Sequence, residues 1–325
     1  MKKRHIIASG LGLFVCGIYL LNASWLAPDA RAGRQVLAHR GLHQTFDPAG
    51  VTKDTCTAAR IDPPRHSYIE NTLPAIEAAL AMGADIIEFD VHPTVDGEFV
   101  VFHDWALSCR TDGHGITRKQ TLTYLQSLDI GYGYTADGGE TYPFRGQFVG
   151  AMPTLNEVLT AFPSAHFLVN IKSKSMEEAR SLTKYLAVHE PANRARLSVY
   201  GAGAGITLFS ELNPDIKTMS KQKAKSCLKP YIRAGWSGHV PVQCHNTYVP
   251  VPANYTWMVW GYPSRFEARL SKVGSRSILM GPHIKGKANS GIDSIDALRK
   301  VPRTYGGIIW TNRIDLVGSE GEEIP

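Results

Sequence analysis

Short apolar runs separated by segments of helical period dominate the sequence beyond residue 34. Eight runs rich in Val, Ile, Leu and Phe are predicted strands, at residues 35–38, 85–91, 98–102, 166–171, 197–200, 215–219, 256–260 and 307–310. Such uninterrupted runs are typical of parallel strands buried on both faces, and helical segments such as 73–82 and 176–188 fall between them. The pattern predicts an α/β fold, a (β/α)8 barrel. A ninth candidate strand at 277–280 leaves a doubly wound open sheet as the alternative.

Three long segments rich in proline and glycine, at 42–69, 104–153 and 225–255, are interpreted as loop insertions rather than linkers between domains. The sequence therefore predicts one barrel domain over residues 34–325, with its main insertion at about 104–153, preceded by a separate N-terminal segment over residues 1–33.

The composition indicates a folded chain with a basic balance. Hydrophobic residues make up 43% and charged residues 20%, which argues against disorder. The formal net charge is +6, but no long basic run is interleaved with aromatic residues. An anionic small molecule or an anionic surface is therefore favoured as a partner over nucleic acid.

The N-terminal segment has the features of an export signal or a membrane anchor. Lys2, Lys3 and Arg4 precede a nearly uncharged apolar stretch over residues 6–27. The only candidate cleavage motif, residues 30–32, lies far from the apolar core, so an uncleaved anchor is favoured. Positive residues on the short N-terminal side predict an extracytoplasmic domain, membrane-anchored or exported, and periplasmic if the source is bacterial.

Four cysteines follow the N-terminal segment, an even number in a chain expected to be exported. Disulfides persist outside the cytoplasm, and no CxxC metal motif is present. We expect two bridges, Cys227 with Cys244 and Cys56 with Cys109.

Polar residues lie where the predicted strands end. They are His39 and Arg40 after the first strand, Glu88 and Asp90 in the second, His103 after the third, and Asn170 and Lys172 at the fourth. In a barrel, catalytic groups gather at this C-terminal face because the βα loops converge there. Glu88 and Asp90 point to the same side of their strand, and two hard oxygen ligands directed together are what Mg²⁺ or Ca²⁺ requires.

The two histidines complete a set suited to phosphodiester cleavage. That reaction needs a base for the attacking oxygen and an acid for the leaving oxygen, and His39 and His103 can share these tasks. Arg40 and Lys172 supply positive charge for the phosphate oxygens. Taken alone, His39, His103 and Glu88 are each better explained by a structural role, so the argument depends on the joint occurrence of these residues at consecutive strand ends.

An ordered series of motifs carries a family resemblance. It comprises AHRG at 38–41, ENTLPAIEAALAMGAD at 70–85, IEFDVHPTVDGEFVVFHD at 87–104, RTDGHG at 110–115 and LQSLDIGYG at 125–133. The chain resembles the glycerophosphodiester phosphodiesterase family, strongly over residues 36–172 and weakly beyond. The resemblance implies a TIM barrel that uses a divalent cation to hydrolyse glycerophosphodiesters to glycerol 3-phosphate and an alcohol.

The same resemblance implies roles for individual residues. His39 and His103 match the general acid/base pair, Arg40 the phosphate-contacting arginine, and Trp260 an aromatic side chain against the glycerol. The implied metal ligands are Glu70, Glu88 and Asp90. The resemblance also implies that a glycerol hydroxyl attacks the phosphorus to give a cyclic phosphate, a step that gains from being intramolecular.

One departure concerns the metal. The family usually ends its fourth strand with a glutamate ligand, whereas LVNIKSK places Asn170 there. An amide oxygen can still bind Mg²⁺ or Ca²⁺, so Asn170 is kept in the predicted ligand set with one fewer negative charge. Two alternatives stay open: lysophospholipase D or sphingomyelinase D-like activity on membrane lipids, and a catalytically weak barrel that only binds phosphodiesters.

Overall fold

The computed structural model of the chain describes residues 2–27, 33–52, 55–190, 194–285 and 290–318. The strands in this part of the chain are β1 Gln35–His39, β2 Ile86–Pro93, β3 Phe99–Val101, β4 His166–Ile171, β5 Leu197–Tyr200, β6 Lys217–Met219, β7 Tyr248–Pro252, β8 Arg276–Met280 and β9 Ile308–Thr311. The α-helices are α1 Lys2–Asn22, α2 Leu73–Ala81, α3 Leu122–Gln126, α4 Leu155–Ala161, α5 Met176–His189, α6 Gly203–Leu212, α7 Lys221–Ala234, α8 Ser264–Ser271, α9 Ile295–Arg299 and α10 Ile314–Val317.

Eight of the strands form a nearly closed parallel barrel. Their order is β6-β5-β4-β2-β1-β9-β8-β7, and a parallel bridge between Thr218 and Thr247 joins the two ends of this series. Helices connect most consecutive strands, as parallel pairing requires. The predicted (β/α)8 TIM barrel is confirmed, and the alternative of an open sheet is wrong.

Two predicted strands do not belong to the barrel. Residues 98–102 contain β3, which pairs antiparallel with β2 as a hairpin. Residues 256–260 are not a strand: Ala253–Met258 is a 3-10 helix, and the barrel strand is β7, just before it. β7 was not predicted from the sequence because it contains Pro250 and Pro252, and proline is uncommon inside strands. The ninth candidate at 277–280 is the barrel strand β8.

The alternation of side chains along β2 separates two hydrophobic cores. Ile87, Phe89 and Val91 pack toward the surrounding helices. Ile86 packs into the barrel interior with Leu168 and residues of the other strands. Glu88 and Asp90 share the direction of Ile86, so the strand carries them above the apolar floor of the barrel.

The insertions at 42–69 and 104–153 pack on each other. Ala58 and Ile61 from the first share a hydrophobic cluster with Leu107, Leu125 and other residues of the second. Both predicted disulfides are confirmed: Cys56 pairs with Cys109, which joins the two insertions, and Cys227 pairs with Cys244.

The N-terminal helix α1 contacts the barrel through its C-terminal half. Asn22 donates its amide to the Trp236 carbonyl, and the rings of Phe14 and Trp236 meet edge to face. The sequence predicted a membrane segment within residues 1–33, whereas no helix in the described residues is both long and apolar enough to cross a bilayer. The candidate cleavage motif at 30–32 lies outside the described residues.

Candidate active site

The turn after β1 places the first histidine and arginine. Arg40 has a left-handed backbone with φ of 60°, and Gly41 follows with φ of 74°. A Cβ on Gly41 would lie 2.8 Å from the Ala75 carbonyl oxygen, so only glycine fits. The Arg40 amide donates to the Glu88 carbonyl, which fixes the turn against β2. Left-handed arginine is uncommon, and such conformations cluster at functional sites.

The strand register brings the predicted residues side by side. His39 is opposite Glu88, Asp90 is opposite Asn170, and Asn170 is opposite Tyr200. His39 Nε2 lies 3.6 Å from Glu88 Oε2. The C-terminal ends of four consecutive barrel strands therefore contribute to one site.

Basic side chains surround Asp90 and Glu70. Lys172 Nζ lies 3.2 Å from Asp90 Oδ1, and Asn170 donates its amide to the same oxygen. Arg40 lies 2.9 Å from Glu70 through NH1 and 3.3 Å from Asp90 through Nε. Burial opposes ionisation of Asp90, but Lys172, His103 and Arg40 hold its pKa well below the usual range. Burial likewise opposes ionisation of Glu70, but Arg110 and Arg40 lower its pKa, so both Asp90 and Glu70 are ionised at neutral pH.

Glu88 differs from Asp90 although they are neighbours on β2. It is fully buried, and burial together with the charge of Asp90 raises its pKa to about 8. The Tyr200 hydroxyl donates to Glu88 Oε1, and the Arg40 amide donates to Oε2. A bound cation would relieve the repulsion between these two carboxylates and so favour the ionised form of Glu88.

An amide orients His39. Asn312, directly after β9, donates its side-chain amide to Asp293 Oδ2, which leaves its oxygen to accept a hydrogen bond from His39 Nδ1 at 2.6 Å. His39 Nε2 is then the nitrogen with the free electron pair. Burial, with Arg40 and His43 nearby, lowers the pKa of His39 well below 6.5, so the ring is neutral at pH 7. Trp310 packs against the ring at 5.1 Å between centroids.

A carboxylate orients His103. Its Nδ1 lies 2.5 Å from Asp104 Oδ1, an arrangement that stabilises the imidazolium form. Burial, and to a smaller extent the charge of Arg40, nevertheless lower the pKa of His103. Arg110, which is 3% exposed, pairs with both Asp104 and Glu70 at 2.9 and 3.1 Å. This arginine of the second insertion thus ties the His103 side of the site to the Arg40 side.

The structure brings together all but one of the predicted site residues. Trp260 is the exception: it follows the 3-10 helix instead of ending a strand, and its indole donates to the Ile232 carbonyl of α7. The aromatic side chain beside His39 is Trp310. Sequence reasoning also missed Tyr200 and Asn312, although Asn312 closely follows the last predicted strand at 307–310.

The oxygen donors fit a hard divalent cation. Glu88, Asp90 and the amide of Asn170 are adjacent through the strand register, and Mg²⁺ commonly uses one or two carboxylates with water and substrate phosphate. Among the described residues, no group of three or more His, Cys, Asp or Glu side chains is arranged to hold a metal ion. A cation here would therefore depend on two carboxylates with amide, water or substrate oxygens.

Sequence comparisons identify relatives of this chain. Residues 39–243 match the model of the glycerophosphoryl diester phosphodiesterase family. The glycerophosphodiester phosphodiesterase of Caldanaerobacter subterraneus subsp. tengcongensis is 41% identical over 33% of this chain and 40% of its own length. That of Bacillus subtilis is 32% identical over 48% of this chain and 56% of its own length. The match thus spans only about half the length of these relatives.

Solved structures with low identity share the fold. The glycerophosphoryl diester phosphodiesterase domain of Rv2277c from Mycobacterium tuberculosis superposes with a TM-score of 0.59 at 17% identity, covering 86% of this chain and 96% of that one. The Oleispira antarctica phosphodiesterase solved with sn-glycerol-3-phosphate gives 0.50 at 18% identity, covering 91% and 98%. Because the family model covers more than half of the sequence, this chain belongs to the glycerophosphoryl diester phosphodiesterase family.

Proposed function

We propose that this chain hydrolyses glycerophosphodiesters to glycerol 3-phosphate and an alcohol. The observation that carries the proposal is the pair of differently oriented histidines. His39 donates a hydrogen bond to the neutral amide of Asn312, and His103 donates one to the carboxylate of Asp104. Both interact electrostatically with Asp90, so they serve one site. The family name and the names of the matched relatives point to the same activity.

The partners of the two rings assign their tasks. His39 is neutral with Nε2 unprotonated, which suits a general base that takes the proton of the glycerol hydroxyl beside the phosphate. That oxygen attacks phosphorus to form a five-membered cyclic phosphate, and His103 gives its proton to the departing alcohol oxygen. Water then opens the ring: His103 removes a proton from the water, and His39 returns one to the glycerol oxygen. Asp104 would stabilise the positive charge of His103 whenever that ring is protonated.

Arg40 and Lys172 supply the positive charge that an anionic phosphodiester needs. Both already neutralise Asp90, so they are fixed before substrate binds. Fixed donors stabilise developing charge without reorganisation, which favours the transition state. The two basic side chains are therefore proposed as phosphate contacts in addition to their role as counter-ions.

Members of this family generally depend on a divalent cation. We propose Mg²⁺ or Ca²⁺ held by Glu88, Asp90 and the Asn170 amide, with Glu70 held beside them by two arginines. Bound there, the ion would stabilise negative charge on the phosphoryl oxygens.

Asn170→Glu is expected to tighten the cation site because it restores a negative charge among the ligands. We expect the apparent affinity for Mg²⁺ to rise by about tenfold or more, and Asn170→Ala to lower it. Isothermal titration of protein treated with EDTA measures both effects without relying on turnover. Equal affinities in all three proteins would show that residue 170 is not a ligand.

Asp104→Asn is expected to change one limb of the pH profile. Removing the carboxylate lowers the pKa of His103, so the protonated acid is lost at a lower pH. The basic limb of kcat/KM should therefore move to lower pH, while the acidic limb, set by His39, stays in place. A uniform loss of activity with an unchanged profile would contradict the assignment of His103 as the acid.

Two substrate classes remain candidates. Soluble glycerophosphodiesters are favoured by the family, and the 28% identical mouse lysophospholipase D GDPD3, together with the exposed apolar side chains of α1, favours lysophospholipids. Hydrolysis of glycerophosphocholine and of micellar lysophosphatidylcholine, each with Mg²⁺, Ca²⁺ or EDTA, separates them. Faster turnover of the soluble diester supports the main proposal. Binding of both without turnover, under any cation, would favour the catalytically weak phosphodiester-binding protein.

We further propose that the domain works outside the cytoplasm, tethered to a membrane or exported. Two disulfides, Cys56–Cys109 and Cys227–Cys244, are typical of oxidising compartments. Apolar side chains of α1 such as Leu13 and Ile7 remain exposed, which suits a helix that contacts lipid. Fractionation of cells that express the full chain tests this localisation.

A further inference from the structure

A cavity lies outside the catalytic site, between the end of α1, the 3-10 helix Gly235–Ser237 and α8. Its volume is about 520 Å³. Its walls include three apolar side chains and three basic ones, Leu21, Val240, Val273, Arg265, Arg269 and Lys272. None of the residues assigned to catalysis, phosphate or metal contributes to it.

The three basic side chains have no acidic partner among the residues that the structure describes. Arg269 is 9% exposed, yet within the described part of the chain its hydrogen bonds all go to neutral oxygens, among them the Leu21 carbonyl and the Asn22 side chain. Arg265 Nε is buried and has no hydrogen-bond partner within residues 2–27, 33–52, 55–190, 194–285 and 290–318. The acid on the same helix, Glu267, is occupied by the amide and hydroxyl of Ser277. The cavity therefore combines concentrated positive charge with an unused buried donor, which is costly unless an anion is bound.

The cavity adjoins the end of the apolar helix α1, which contributes Leu21 to its wall. Arg269 holds the last turn of α1 against the barrel, so the position of this helix and the basic wall are linked. Large apolar side chains on and just after α1 are exposed, including Leu13 at 75% and Trp25 at 69%. A soluble anion would explain the charge but not this apolar surface beside it.

We propose that the cavity binds the phosphate of an anionic membrane phospholipid while α1 lies against the same lipid surface. A guanidinium group can bind two phosphate oxygens at once, and basic pockets beside apolar helices recognise lipid headgroups. The helix supplies apolar contact that is indifferent to the headgroup. The cavity supplies the preference for negative charge. This site is independent of the proposed hydrolysis, because it is built from different residues.

Flotation of the full chain with vesicles tests the proposal. Vesicles contain phosphatidylcholine alone or mixed with phosphatidylglycerol, and the tested variant is Arg265→Gln with Lys272→Gln. Arg269 is left in place because it holds α1. The control is Arg180→Gln with Lys184→Gln, which removes the same charges from exposed positions of α5. Wild type and control should prefer the phosphatidylglycerol vesicles by about tenfold or more, and the α8 variant should lose most of that preference.

Three outcomes would overturn the proposal. One is an equal loss of the preference for phosphatidylglycerol vesicles in the α8 variant and in the α5 control, which would show that the preference depends only on the overall charge of the protein. Another is the absence of any lipid preference in the wild type. The last is binding of inorganic phosphate that the α8 variant abolishes while its vesicle affinity is unchanged, which would assign the cavity to a soluble anion. Retention of the wild-type melting temperature shows that the variants are folded, and none of these readings depends on turnover.

Discussion

Replacing either His39 or His103 by alanine should lower kcat/KM for a glycerophosphodiester by about 10²–10⁴-fold. Each ring transfers a proton in both halves of the proposed reaction, and positioned acid/base groups typically contribute this much. The double variant should be little worse than the more damaging single variant, because residues that act as a unit are not additive.

The matched control is His114→Ala, an exposed histidine of the second insertion, which should keep nearly full activity. Substrate binding distinguishes a chemical role from a structural one. Both catalytic variants should retain the melting temperature and bind a glycerophosphodiester, yet fail to turn it over. Full activity in either His39→Ala or His103→Ala would eliminate the two-histidine mechanism.

Arg110→Met should cause the largest loss of stability among the site variants. Arg110 is buried between Glu70 and Asp104 and also donates to the Tyr134 hydroxyl. Removing one partner of a buried ion pair leaves an uncompensated charge and typically costs about 3–5 kcal/mol. Urea unfolding at pH 7 measures this loss. An exposed control, Arg180→Met on α5, should change the free energy of unfolding by less than about 0.5 kcal/mol.

The loss should depend on pH in a defined direction. Burial opposes ionisation of Glu70 and Asp104, but Arg110 pulls the pKa of each below its usual value. A depressed carboxyl pKa contributes stability above the unfolded pKa, and this contribution disappears as the pH falls through the folded value. The difference between wild type and Arg110→Met should therefore be greatest near neutral pH and shrink in acid. A difference that does not change with pH would refute the ion-pair explanation.

The sequence was most informative where a pattern has a single structural solution. Continuous apolar runs located seven of the barrel strands. Polar residues at the ends of predicted strands located both histidines, His39 after β1 and His103 after the hairpin strand β3. It failed at β7, where Pro250 and Pro252 masked a strand, and the following aromatic run was taken for the strand instead. The predicted position of Trp260 at a strand end depended on that assignment, and the structure places its indole against the Ile232 carbonyl of α7.

Residues that reach the site from distant parts of the chain were the hardest to predict. Asn312 orients His39 from 273 positions away, and Tyr200 reaches Glu88 from 112 positions away. No local periodicity marks such contacts, because they are created by closure of the barrel. Arg110 lies within a quoted motif, but its pairing with Glu70 emerges only when the second insertion packs against the rest of the site.

Product analysis by ³¹P NMR tests the central claim most directly. Wild-type protein is incubated with glycerophosphocholine and Mg²⁺ or Ca²⁺, and the phosphorus signals are followed over time beside His39→Ala and His103→Ala. The account predicts that glycerol 3-phosphate appears with wild type, accompanied or preceded by a cyclic glycerophosphate, and that both variants leave the substrate intact. Release of phosphocholine, or equal turnover by the variants, would contradict it.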